Sequence, residues 1–180
     1  MKTIGSAIIM LVLTPSLFAD NGKELKLTSP DGTHEIAFYQ NQVSPAVNEL
    51  CYRVDYKSQP VVNESRAGLE LDNRIWEMAL GARNLKQPAC WMDNLEVDSV
   101  TYQPETDITW QPLYGERSSV RDHYQAGTLY LSKKDNSGYR FNIEVRAYNE
   151  GVAFRYFFPE HPKAIFHKVV GDLTEYALPA

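Results

Sequence analysis

The densest run of chemistry-bearing side chains lies between Trp110 and Tyr124, WQPLYGERSSVRDHY. Trp110, Tyr114 and Tyr124 could offer aromatic faces to sugar rings, with Glu116, Arg117 or Arg121 bonding the hydroxyls. An aromatic ring joins apolar stacking area to a polar handle, which suits carbohydrate. The same rings could instead anchor this turn-rich segment to the protein body or to a neighbouring domain. Trp110, Tyr114, Glu116 and Arg121 are therefore the candidate substrate-binding residues, with anchoring as the competing role.

Catalysis by this chain's own side chains finds little support. Glycoside hydrolysis takes two carboxylates flanking the scissile bond. Glu116 and Asp122 fall in the same polar segment, while Glu64, Glu70, Asp93 and Glu96 are dispersed. No spacing sets two of them on one wall of a pocket. His123 follows Asp122, which could orient it, but no activated nucleophile stands nearby. Ser118-Ser119 lacks the glycine-flanked elbow of a hydrolase serine. His34, His123, His161 and His167 are too scattered for a zinc motif such as HExxH. No glycine-rich phosphate loop occurs. No catalytic residue, metal ligand or cofactor is assigned to this chain.

The elements that must position these residues are strands. Between Tyr139 and Asn149, Phe141, Ile143, Val145 and Ala147 share one face, and Arg140, Asn142, Glu144 and Arg146 share the other. Slipping that register by one residue would turn the apolar row to water. Asn149-Glu150-Gly151 predicts a tight turn. Val152, Phe154, Tyr156 and Phe158 make the matching row of a return strand, and Ala153 and Phe157 suggest cover on its other face as well. Further strands are predicted at 24–28, 34–40, 49–56, 68–71, 95–102, 128–132 and 164–170, with a turn at Pro30-Asp31-Gly32. One or two helical turns are expected at Arg74–Leu80. Arg146 and Arg155 belong on exposed or interfacial strand faces. Short strands separated by regular turn signals define an all-β fold, an antiparallel β-sandwich. Leu173–Leu178 still reads as a strand at the chain's end, where it could leave an open sheet edge and hints at truncation.

Composition sets outer limits. The 180 residues suit one domain or part of one. A formal charge of −5 and no basic run longer than Lys133-Lys134 exclude a nucleic-acid footprint. Lys2, the apolar Ile4–Leu13 and the break at Thr14-Pro15-Ser16 form the layout of a signal peptide cleaved after Ala19, so export is expected. That run is too short to span a bilayer. Export would permit a disulfide between Cys51 and Cys90, though two unpaired thiols are the alternative.

Several ordered landmarks carry a resemblance. They are Leu27-Thr28-Ser29-Pro30-Asp31-Gly32, Leu50-Cys51-Tyr52-Arg53-Val54, Gly68-Leu69-Glu70-Leu71, Trp110-Gln111-Pro112, Tyr114-Gly115-Glu116, Arg121-Asp122-His123-Tyr124 and the Arg146–Pro159 hairpin. In this order they resemble the N-terminal domain of glycoside hydrolase family 97, whose members include exported α-glucosidases and α-galactosidases. The resemblance implies a β-sandwich of supersandwich type over residues 20–180, incomplete at its C-terminal end. It also implies a separate catalytic barrel, absent from this chain, holding the working carboxylates and most ligands of a calcium ion. The expected product is the supporting domain of a periplasmic or extracellular glycosidase acting on α-glucosides or α-galactosides. A free-standing carbohydrate-binding module and a structural sandwich without sugar affinity are the alternatives.

Overall fold

The computed structural model describes residues 24–45, 47–72, 74, 78, 89–90, 93–133, 139–160 and 167–180. The leader expected at 1–19 and most of the helical segment expected at Arg74–Leu80 lie outside them. Strands β1 (Leu25–Thr28), β2 (His34–Ser44), β3 (Val47–Tyr56) and β4 (Gln59–Arg66) form one antiparallel sheet in sequence order. After the short β5 (Leu69–Leu71) and β6 (Ala89–Cys90) come β7 (Leu95–Trp110), β8 (Val120–Lys133), β9 (Arg140–Tyr148) and β10 (Gly151–Phe157). These last four make a second antiparallel sheet, in the order β10-β9-β8-β7. A small third sheet joins β11 (Val169–Asp172), β5 and β6.

The two large sheets face each other through the apolar rows that alternation predicts. Leu25, Leu27, Ile36, Phe38, Leu50, Tyr52 and Val54 supply one inner face; Leu129, Leu131, Phe141, Ile143, Val145 and Ala147 supply the other, all buried. Pairing of Ile143 with both Leu129 and Tyr156 keeps neighbouring strands in phase. An aromatic cluster bridges the layers: Phe38 stacks on Tyr52 at 5.4 Å and meets the edge of Phe154 at 5.1 Å.

Turn chemistry explains which strands the sequence reveals. At the β1–β2 turn, Asp31 accepts from the Ser29 hydroxyl (2.6 Å), the Thr33 amide (3.0 Å) and the Thr33 hydroxyl (2.8 Å), and Gly32 takes φ +74°. Those donors, the Ser29 hydroxyl foremost, hold the Asp31 carboxyl down at about 2. The β3–β4 turn works differently. Lys57 and Ser58 both adopt positive φ, +48° and +61°, as a two-residue hairpin of the primed type demands. Neither residue type advertises that conformation, so β4 is absent from the expected strands.

Two expectations are corrected here. Ala153 and Phe157 are exposed, so β10 is covered on its inner face only. The C-terminal segment is not a further strand leaving an open edge. It runs beside β4 and the residues just after it, with the Leu173 amide donating to Gly68, Glu175 to Arg66, and the Asn63 amide to Ala177. Tyr52 donates its hydroxyl to the Glu175 carbonyl at 2.6 Å, tying this segment to the core. Cys51 is a free, buried thiol, in line with the unpaired alternative.

Burial, with the Glu64 and Glu49 carboxylates adding to it, pushes the Cys51 thiol up to about 11. Since the thiolate is the reactive form, native Cys51 should react with a disulfide reagent at pH 8 roughly 100-fold slower than an unfolded cysteine. Following thiol release with and without guanidinium checks this. Equal rates in the two states would show that Cys51 is accessible.

A candidate functional site on a projecting hairpin arm

Strands β7 and β8 pair from Leu95↔Lys133 to Trp110↔Val120, whereas β9 stops at Tyr148, opposite Tyr124. Beyond that point β7 and β8 continue as a two-stranded ribbon, Thr106–Trp110 against Val120–Tyr124. The stretch from Trp110 to Tyr124 is thus no single loop: both its ends are strand, and only 111–119 is irregular.

One face of the arm is charged and largely paired within itself, although His123 Nδ1 is buried without a hydrogen-bond partner. Arg121 donates to both oxygens of Asp107 at 2.7 Å each. The Arg121 guanidinium holds the Asp107 carboxyl below the usual carboxylate range. Glu105 accepts from Gln125 at 2.8 Å and lies 2.6 Å from His123 Nε2. Glu105, not Asp122, is therefore the carboxylate that orients His123. Successive strand residues point to opposite faces, which carries Asp122 away from its neighbour's ring.

The other face carries Ile108, Trp110, Val120 and Asp122, and leads into Tyr124. Ile108 is 54% and Trp110 51% exposed, while at the tip Leu113 and Tyr114 are 100% and 89% exposed. Glu116 is exposed in the same tip, next to Gly115 at φ +118°. The four candidate substrate residues are consequently divided. Trp110 lies on the apolar face, Arg121 on the charged face, and Tyr114 and Glu116 on the loop between them. Tyr124 is buried beneath Arg146, whose guanidinium sits 4.3 Å from the ring centre, and against Tyr148 at 5.2 Å. Its ring is used in packing. Arg155 pairs with Glu144 at 2.6 Å, so both arginines lie on the outer sheet face as expected.

Sequence reasoning passed over Glu105 and Asp107, the partners that fix His123 and Arg121. Their signal was an acidic pair on one strand facing basic residues on the next, the cross-strand counterpart of helical ion pairs. A separate cleft of about 1040 Å³ opens between the first sheet and β10, lined by Ile36, Tyr52, Val54, Tyr56, Phe154 and Tyr156 among others. None of the four candidate residues lines it. Among the described residues no group of three or more His, Cys, Asp or Glu could hold a metal ion, and no helix is long and apolar enough to cross a membrane.

The topology defines the class first: an all-β, antiparallel sandwich. A family model described as Glycosyl-hydrolase 97 N-terminal matches residues 27–180, and the chain belongs to that family. It is similar to a retaining alpha-galactosidase of Bacteroides thetaiotaomicron, 26% identical over 180 residues, covering all of this chain and 22% of that protein. Among solved structures it is similar to a glycoside hydrolase family 97 enzyme in complex with panose from Pseudoalteromonas sp. strain K8. That likeness has a TM-score of 0.68 and 25% identity, over 86% of this chain and 20% of that one. A beta-arabinopyranosidase shares the fold at TM-score 0.66 and 20% identity, over 86% of this chain and 21% of its own. The chain therefore spans about a fifth of the length of these relatives.

Proposed function

We propose that this chain is the N-terminal β-sandwich of an exported α-glycosidase, where it buttresses a catalytic barrel and helps wall the carbohydrate cleft. One observation carries the reading: the match to a glycosidase N-terminal domain covers 27–180, yet the chain spans only about a fifth of its relatives. The chemistry of bond cleavage then belongs to the other four-fifths. The substrate class is an α-glucoside or α-galactoside, supported by an alpha-galactosidase relative and by a relative crystallised with panose. Lys2 with the apolar Ile4–Leu13 supports export to the periplasm or beyond the cell. The calcium ion that the family resemblance implies would take most of its ligands from the catalytic barrel.

The 180-residue chain should release no nitrophenol from aryl α-glucosides or α-galactosides, and the complete gene product should release it. Turnover by the chain alone would overturn the reading. The exposed Trp110 and Tyr114 favour a second reading, a carbohydrate-binding module. A saturable quench of Trp fluorescence by malto- or galacto-oligosaccharides, lost in Trp110→Ala, would establish that reading instead.

A further inference from the structure

We infer that the apolar face of the arm is a latch. Ile108, Trp110 and Val120, with Leu113 and Tyr114 at the tip, dock against an apolar surface of the catalytic portion of the same polypeptide. This deepens the reading above and rests on it.

Three observations lead there. First, among the described residues the ribbon beyond Tyr124 and Tyr148 has no third strand, and a two-stranded ribbon in water is marginal unless something packs on it. Second, its two faces are unequal. The charged face pairs its carboxylates through Arg121–Asp107 and His123–Glu105, with His123 Nδ1 left over, while the opposite face leaves Ile108 and Trp110 half open and the tip leaves Leu113 wholly so. A ribbon with ion pairs on one side and bare apolar side chains on the other is shaped for cover on the apolar side. Third, some four-fifths of the length of the relatives lies outside this chain, which supplies an occupant.

The chemistry of the bare face favours protein over sugar. A sugar platform needs polar groups beside its rings to bond hydroxyls. Here the neighbours of Trp110 in the row are Ile108 and Val120. Arg121, the arginine expected to bond hydroxyls, points the other way and is committed to Asp107 through both oxygens. Asp122, opposite Ile108, is the one charge in the row and suits a rim position. Trp and Tyr are among the residues enriched at protein–protein hot spots, where the surrounding contacts exclude water.

Hydrogen exchange of 104–123 tests this by comparing the 180-residue chain with the complete gene product. Docking should slow those amides by about tenfold or more in the complete product, as tertiary cover slows local opening. Ile108→Lys with Leu113→Asp should return them to the fast rate there and lower its melting temperature. The same pair should move the melting temperature of the 180-residue chain by no more than ~2 °C, because both side chains are exposed in it. Equal exchange of 104–123 in both proteins, with new protection elsewhere on the sandwich, would overturn the latch and leave the buttress standing. Slowing of these amides in the 180-residue chain by added maltotriose would overturn it in favour of a sugar platform. A complete product without glycosidase activity would remove the reading of function, and the latch with it.

Discussion

Replacing Phe38 with alanine should destabilise the sandwich by about 3–5 kcal/mol, the range for truncating a buried phenylalanine. Phe38 has no exposed surface, pairs with Leu25, and holds Tyr52 from the first sheet and Phe154 from the second. It therefore joins the two layers, beside the direct Tyr52–Phe154 contact at 5.3 Å. Phe154 belongs to β10, which pairs with β9 at the edge of the second sheet. The void would adjoin the cleft that Tyr52 and Phe154 already line, giving water a route inward. For a domain of this size the melting temperature should fall by roughly 10 °C. Phe38→Leu keeps most of the volume and should cost no more than about 1.5 kcal/mol. Urea unfolding separates these cases, with a lower midpoint at unchanged slope expected for both. A loss under about 1 kcal/mol for Phe38→Ala would show that the aromatic bridge is not what holds the layers together.

Gly127→Ala should also destabilise, by about 1–3 kcal/mol, the range for overpacking. In an ordinary strand this change would help, because glycine there is worse than alanine by roughly 0.5–1 kcal/mol. The reversed sign comes from space. Gly127 pairs with Tyr102 and Val145 in the middle of β8, where β1 crosses the second sheet. An added Cβ would stand 3.1 Å from Leu25 Cδ1 and 3.1 Å from the Thr101 carbonyl oxygen. Leu25 is fully buried beneath it and the Thr101 carbonyl belongs to the paired backbone of β7, so neither yields freely. In a Leu25→Ala background the side-chain clash vanishes, leaving the tight carbonyl contact and an ordinary one to Leu27 Cδ1 at 3.5 Å. The Gly127→Ala penalty should then shrink by at least ~0.5 kcal/mol, the non-additivity expected of touching residues. Simple addition of the two losses would mean that Leu25 does not set the limit. A stabilising Gly127→Ala would refute the close crossing altogether.

Some of this architecture could be read from local pattern alone. Strand β9 declares itself because Phe141, Ile143, Val145 and Ala147 alternate with polar residues, and strand period is a property of neighbours. The β1–β2 turn is equally plain, since Asp31-Gly32 carries its own capping bonds and positive φ. The β3–β4 hairpin is hidden because its left-handed pair is Lys57-Ser58, a conformation imposed by the paired strands rather than preferred by those residues. Outer halves of β7 and β8 are hidden for another reason. Both faces of that ribbon are largely exposed, and its short apolar row of Ile108, Trp110 and Val120 is shared between two strands, so neither strand alone shows a long alternation.

The candidate site divides the same way. Composition alone marked Trp110–Tyr124 as the segment worth attention, and the landmarks around it named the family. Which residues share a face could not be counted. The irregular 111–119 breaks the strand period between Trp110 and Arg121, and register shifts between Val97 and Ser99 and between Gln103 and Thr106 alter which residues face each other. Only the folded pairing shows Trp110 turned away from Arg121, with Arg121 already bound to Asp107. Side-chain types and their local period are written along the chain, but the parity of two strands across a loop is a long-range property. It is settled by the backbone bonds that close the hairpin.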